Sequence, residues 1–83
     1  REMDREVQNE IEALAQSYEK IYHIESIYLI KYGPYYCLDL VIHMDGGLTL
    51  ICAHKIVDQL ENQIQKKYPN IQYLNIHMEP EEK

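Results

Sequence analysis

The run Tyr35-Tyr36-Cys37-Leu38-Asp39-Leu40-Val41-Ile42-His43-Met44 decides the fold. Its alternation puts Leu38, Leu40, Ile42 and Met44 on one face of a strand, with Cys37, Asp39, Val41, His43 and Asp45 on the other. Just upstream, Gly33-Pro34 is a two-residue break. Before it, from about Ile24 to Tyr32, lies a β-branched and aromatic run that includes Ile27, Tyr28 and Ile30. Two such runs joined by a Gly-Pro turn predict an antiparallel hairpin.

Working outward, Asp45-Gly46-Gly47 closes the strand and Thr49 is placed to cap a helix. The helix stripe is Leu50, Ala53, Val57, Leu60 and Ile64, with steps of 3, 4, 3 and 4. Tyr68-Pro69-Asn70 ends it, because proline cannot continue a helix and biases the residue before it away from helical angles. A last strand runs from Ile71 to about Glu79. Leu74, Ile76 and Met78 share one of its faces; Tyr73, Asn75, His77 and Glu79 share the other. Pro80-Glu81-Glu82-Lys83 reads as a tail. At the other end, Met3, Val7, Ile11, Leu14, Tyr18 and Ile21 recur with steps of 4, 4, 3, 4 and 3, one stripe of a first amphipathic helix.

The order is therefore α-β-β-α-β. Both helix stripes need cover, and one face of a three-stranded mixed sheet supplies it. The expected fold is an α/β (α+β) open-faced sandwich of the ferredoxin or metallochaperone type, with two helices on one sheet face. The other face is left bare. It would carry Cys37, Asp39, Val41, His43, Tyr73, Asn75, His77 and Glu79, a composition that suits water or a partner chain.

Eighty-three residues make one domain, spanning positions 1–83. So short a chain has a thin core, and a partner chain or a metal often adds stability in such cases. The net charge of −6 and scattered basic residues, with Lys66–Lys67 the only adjacent pair, argue against nucleic acid as a partner. Cys37 and Cys52 are fifteen positions apart, which fits neither a zinc ribbon nor a disulfide scaffold. No apolar run reaches the roughly 18 residues that a spanning helix needs. Beginning at Arg1 without a methionine, the chain reads as a piece of a longer protein.

Of the four histidines, His77 leaves the same strand face as Glu79, two positions on, and His43 leaves the corresponding face of the second strand. Imidazole and carboxylate so placed can hold Zn²⁺ or a similar divalent ion; a solvated polar face would show the same pattern. His54 stands early in the second helix at the edge of its stripe, and His23 at the junction of helix and strand has no distinguishing context. No nucleophile–base arrangement stands out, and Gly46-Gly47 is too short for a phosphate loop, so nothing supports an enzyme.

Three segments together resemble the C-terminal domain of cation diffusion facilitators. They are the Gly33-Pro34 turn leading into Tyr36–Met44, the helix opening Leu48-Thr49-Leu50-Ile51-Cys52-Ala53-His54, and Tyr68-Pro69 followed by Ile76-His77-Met78-Glu79-Pro80. The resemblance covers about residues 4 to 80. It implies a cytosolic regulatory domain of an integral membrane exporter of divalent metals, coupled to its own transmembrane domain. It further implies a homodimer that binds metal at and near its interface, with Zn²⁺ the first candidate and Fe²⁺ or Mn²⁺ the others. By the same resemblance His54, His77 and Glu79 match the family's metal ligands. Glu25 falls where many members have a histidine, and Val41 where some have one; His43 falls where others carry an acid and can substitute. Two alternatives stand beside this reading: a dimerisation module whose metal site has decayed, and a free-standing metal or small-molecule sensing domain. A free-standing metallochaperone would ordinarily show a CxxC loop, which this chain lacks.

Overall fold

The computed structural model of the chain describes residues 2–82, with side chains from Asp4 onward; Arg1, Lys83 and the Met3 side chain lie outside the described residues. The elements are α1 (Glu2–Gln16), β1 (Ile21–Tyr32), β2 (Tyr35–Asp45), α2 (Leu50–Lys67) and β3 (Ile71–Glu81). This is the α-β-β-α-β order the sequence predicts. β2 is the central strand, antiparallel to β1 and parallel to β3.

The alternation of β2 becomes a division between core and surface. Leu38, Leu40, Ile42 and Met44 are at most 2% exposed. Against them pack Ile11 and Ala15 from α1 and Val57, Leu60 and Ile64 from α2, all in one buried cluster. Each Leu or Ile so buried contributes about 1.5–3 kcal/mol. Among the described residues no polar or charged residue is buried.

The turns follow from their residues. Gly33 has a φ of +56°, which a side chain would strain, and Pro34 after it holds φ negative; Gly first with a negative φ second is the II′ arrangement that suits twisted hairpins. The hydroxyl of Thr49 accepts from the Cys52 N–H at 3.1 Å and so caps α2 as expected. α2 stops at Lys67, two residues before Pro69.

Three boundaries differ from the sequence reading. α1 ends at Gln16 rather than running to Ile21. Ser17 turns the chain out, its hydroxyl donating to the Leu14 carbonyl at 2.6 Å and its N–H bonding back to Ala13 and Leu14. Tyr18 and Ile21 nevertheless reach the core from the turn and from β1, which is why the stripe reads on through them. β1 therefore begins at Ile21, not Ile24. β3 continues through Pro80 to Glu81, where a tail was expected. An edge strand tolerates proline, and the Gly46 N–H donates to the Glu81 carbonyl at 2.8 Å, pinning the strand end to the turn after β2.

Among the described residues nothing covers the second face of the sheet. Towards the hairpin tip it exposes Tyr28 (63%), Tyr32 (63%), Tyr35 (47%) and Tyr73 (67%) together with Ile30. Towards the opposite end it carries histidines and carboxylates.

Candidate metal centre

That polar end is shaped by two irregularities in β1. Ser26 pairs with Val41 and Ile24 with Ile42, so Glu25 is an extra residue on β1; likewise Tyr22 is extra between the His23–His43 and Ile21–Met44 pairs. Each such bulge shifts the face on which the following residues emerge. Strict alternation backward from Ser26 would put Ile24 on the bare face and His23 over the core. The bulge at Glu25 reverses this: Ile24 joins the core side and His23 comes to stand beside His43.

The two imidazole rings stack at 4.3 Å between centroids, with 19° between their planes. His43 is gripped from both sides, Nε2 lying 2.7 Å from Glu25 Oε1 and Nδ1 2.9 Å from Glu81 Oε2. The same Glu81 oxygen is 3.7 Å from His23 Nδ1. The His43 pKa is raised above 6.5, chiefly by the Glu25 carboxylate hydrogen-bonded to its ring and further by Glu81, against the opposing pull of partial burial. Next to it, Asp45 accepts from the Gly47 N–H at 2.8 Å and pairs with Lys20. That backbone hydrogen bond is the main reason its carboxyl is held below the ordinary value.

His23, His43 and Glu81 each offer a ligand atom, all within 4.8 Å of one another. Around a tetrahedral ion with bonds of about 2.0–2.1 Å, neighbouring donors lie roughly 3.3 Å apart. The donor set fits a divalent ion in kind, and the side chains would have to draw in and the rings splay to close on one.

The residues singled out in the sequence are distributed as follows. Glu25 and His43 are in direct contact. Glu79 is the cross-strand neighbour of His43, and His77 stands opposite Val41, both exposed on the bare face. His54 is exposed in the first turns of α2. Among the described residues, neither His54, His77 nor Glu79 belongs to a group of three donors as close as His23, His43 and Glu81. His23 and Glu81 were missed in the sequence. The alternation His77, Glu79, Glu81 would have pointed to Glu81 had Pro80 been allowed inside a strand; nothing in the sequence announces the bulge that brings in His23.

The comparisons with known proteins agree with this fold. Residues 3–81 match the family model for the cation efflux protein, cytoplasmic domain. The manganese efflux system protein MneP of Bacillus subtilis (strain 168) is 26% identical over 78 residues, which is 94% of this chain and 26% of that protein. The chain thus spans about a quarter of the length of that relative. Among solved structures, a cadmium form of a MamM CTD variant superposes with a TM-score of 0.84 at 22% identity, covering 96% of this chain and 99% of that one. Another MamM CTD variant gives a TM-score of 0.87 at 21% identity over 99% of this chain and all of that one. At such identities the structures speak for the fold, and the family model for the lineage. The chain belongs to the cation efflux protein family, as its cytoplasmic domain.

Proposed function

We propose that this domain is the cytosolic regulator of a divalent-metal efflux transporter, dimerising and binding Zn²⁺ or a similar ion so that cytosolic metal biases the transmembrane part. The observation that carries the reading is the bare sheet face of a cation efflux domain, with His43, Glu25, His77 and Glu79 towards one end and exposed tyrosines towards the other. In this reading His77 and Glu79 supply ligands from β3, His54 adds one from α2, and His43 and Glu25 assist. Two histidines with carboxylates favour Zn²⁺; Fe²⁺ and Mn²⁺ accept the same donors, and a manganese exporter among the relatives supports the latter.

Dimerisation has its own support. Aromatic side chains bury about 150–250 Å² each, so the exposed parts of Tyr28, Tyr32, Tyr35 and Tyr73 with Ile30 amount to on the order of 500 Å². A standard interface takes about 800 Å² from each partner. Two protomers of net charge −6 repel, and cations held between them offset that repulsion. Metal would shift an open–closed equilibrium only by its difference in affinity for the two states.

Small-angle scattering with molar mass, on metal-stripped protein and then through a Zn²⁺ or Mn²⁺ titration, tests this. A dimer whose radius of gyration falls with metal is expected. A monomer indifferent to both ions overturns it. A dimer that ignores metal would favour a dimerisation module with a decayed site, a reading that Val41 and Glu25 at histidine positions of the family supports.

A further inference from the structure

We infer that His23, His43 and Glu81 form a second metal site, contained within one chain and distinct from the His54–His77–Glu79 ligands proposed above, with His43 and Glu25 serving this second site rather than the first. It would take a borderline divalent cation, Zn²⁺ or Co²⁺ in type, through two imidazole nitrogens and a carboxylate oxygen, with Glu25 holding the His43 ring from behind.

The atoms that face one another make the argument. Glu81 Oε2 approaches His43 Nδ1 at 2.9 Å and His23 Nδ1 at 3.7 Å, so both Nδ1 atoms are turned towards one carboxylate. The far nitrogen of His43, Nε2, lies 2.7 Å from Glu25 Oε1. A carboxylate thus stands at each nitrogen of the His43 ring, and an ion bound at Nδ1 would take the place of the proton that Glu81 accepts there, while the Nε2–H goes on donating to Glu25. This is the carboxylate–histidine–metal arrangement by which proteins fix the tautomer and raise the basicity of a metal-binding ring. Glu25 therefore acts as a positioning residue, outside the set of ligands.

The backbone supports the same reading. His23 reaches His43 only because Glu25 is inserted as a bulge, and the one extra residue both supplies the orienting carboxylate and turns His23 to the correct face. Bulges recur where a strand must re-aim a side chain. Glu81 is fixed in turn by the Gly46 N–H on its carbonyl. Three protein ligands on two edge strands and a central one leave further coordination open to water.

Because every ligand comes from one chain, occupancy should not depend on dimerisation, which separates this site from one shared across an interface. The test is a Zn²⁺ titration of the metal-stripped domain by calorimetry, with the histidine ring nitrogens followed by NMR. Expected are Nδ1 resonances of His23 and His43 that move with the first equivalent, and an affinity that is the same at protein concentrations above and below the dimer dissociation constant. Glu25→Gln should weaken this binding about 10–100-fold, as loss of an outer-shell partner does, and Glu81→Gln or His23→Ala by at least as much. Both His23 and Glu81 are away from the core, so these variants should fold, and circular dichroism checks that they do. Ring signals of His54 and His77 that move while those of His23 and His43 stay still would overturn this site and leave the other standing. Movement of His23 and His43 alone would do the reverse. A Glu81→Gln variant within twofold of the parent affinity would also overturn it.

Discussion

The two faces of β2 are made of alternate residues in one ten-residue run, yet they answer to different physics. Leu38, Leu40, Ile42 and Met44 are closed off by α1 and α2 and have no freedom to be anything but apolar. Cys37, Asp39, Val41 and His43, a peptide unit away in each case, are covered by no helix among the described residues. What they do depends on β1 and β3 on either side and on whatever covers the sheet from outside. The covered face holds the domain together; the bare face is where charge, imidazole and tyrosine accumulate.

The strongest way to break the comparison is to delete volume on one face and then on the other. Leu40 is fully buried at the centre of the cluster. Leu40→Ala should cost about 2–5 kcal/mol, the usual range for a core leucine. Asp39→Ala, one residue away and exposed, should stay within roughly 0.5 kcal/mol in the metal-free monomer. Urea denaturation of both variants measures the contrast. Equal losses would show that the bare face is also covered in the isolated chain.

Gly46 joins the two faces at their common end. A Cβ there would meet the Glu81 main chain, its oxygen at 3.1 Å and its nitrogen at 3.3 Å. Those neighbours are backbone, so the end of β3 would have to give way. Gly46→Ala should therefore destabilise the fold by about 1–3 kcal/mol, as overpacking does, and should weaken Zn²⁺ binding as Glu81 moves. A variant that loses stability with zinc affinity intact would detach Glu81 from the metal centre.

The covered face could be read from the sequence, and much of the bare one could not, for reasons tied to particular residues. Burial on one side forces period two, so the alternation from Leu38 to Met44 fixed the strand, and the Gly33-Pro34 turn and Pro69 fixed their boundaries. The α1 stripe misled beyond Gln16 because Tyr18 and Ile21 bury against the same core from a turn and a strand; periodicity records burial and not hydrogen bonding. At the metal end two single-residue insertions, Tyr22 and Glu25, reverse the parity of β1. A bulge has no compositional signature here, so the pairing of His23 with His43 is a tertiary fact. Glu81 was hidden by Pro80, whose missing N–H is costly in a central strand and harmless at an edge.

On the tyrosine half of the bare face, Tyr73 is 67% exposed beside Cys37, with Ile30 on the far side of that central-strand residue. Tyr73→Ser should leave the monomer's stability nearly unchanged and weaken the dimer at least tenfold, about 1.4 kcal/mol, if the tyrosines form the interface. Sedimentation equilibrium measures it. An unchanged association constant would move the interface elsewhere and leave this half of the sheet unpartnered.

The smallest expected effect separates the proton from the metal at His43. In the metal-free domain its raised pKa means that the charged ring is held by Glu25 and Glu81 in the folded state. That contribution to stability is fully present below the unfolded-state value near 6.5 and is lost as pH rises through the folded-state pKa. Zinc needs the unprotonated nitrogen, so its binding should strengthen over the same interval. Metal-free stability and zinc affinity should therefore change with opposite signs as pH rises through that window. NMR titration of the ring should place the His43 midpoint above 6.5, and Glu25→Gln should lower it. A midpoint at or below 6.5 in the parent would mean that the two carboxylates do not grip the ring in solution. The polar end of the bare face would then lose the ion-pair contacts that order His43 in the metal-free domain.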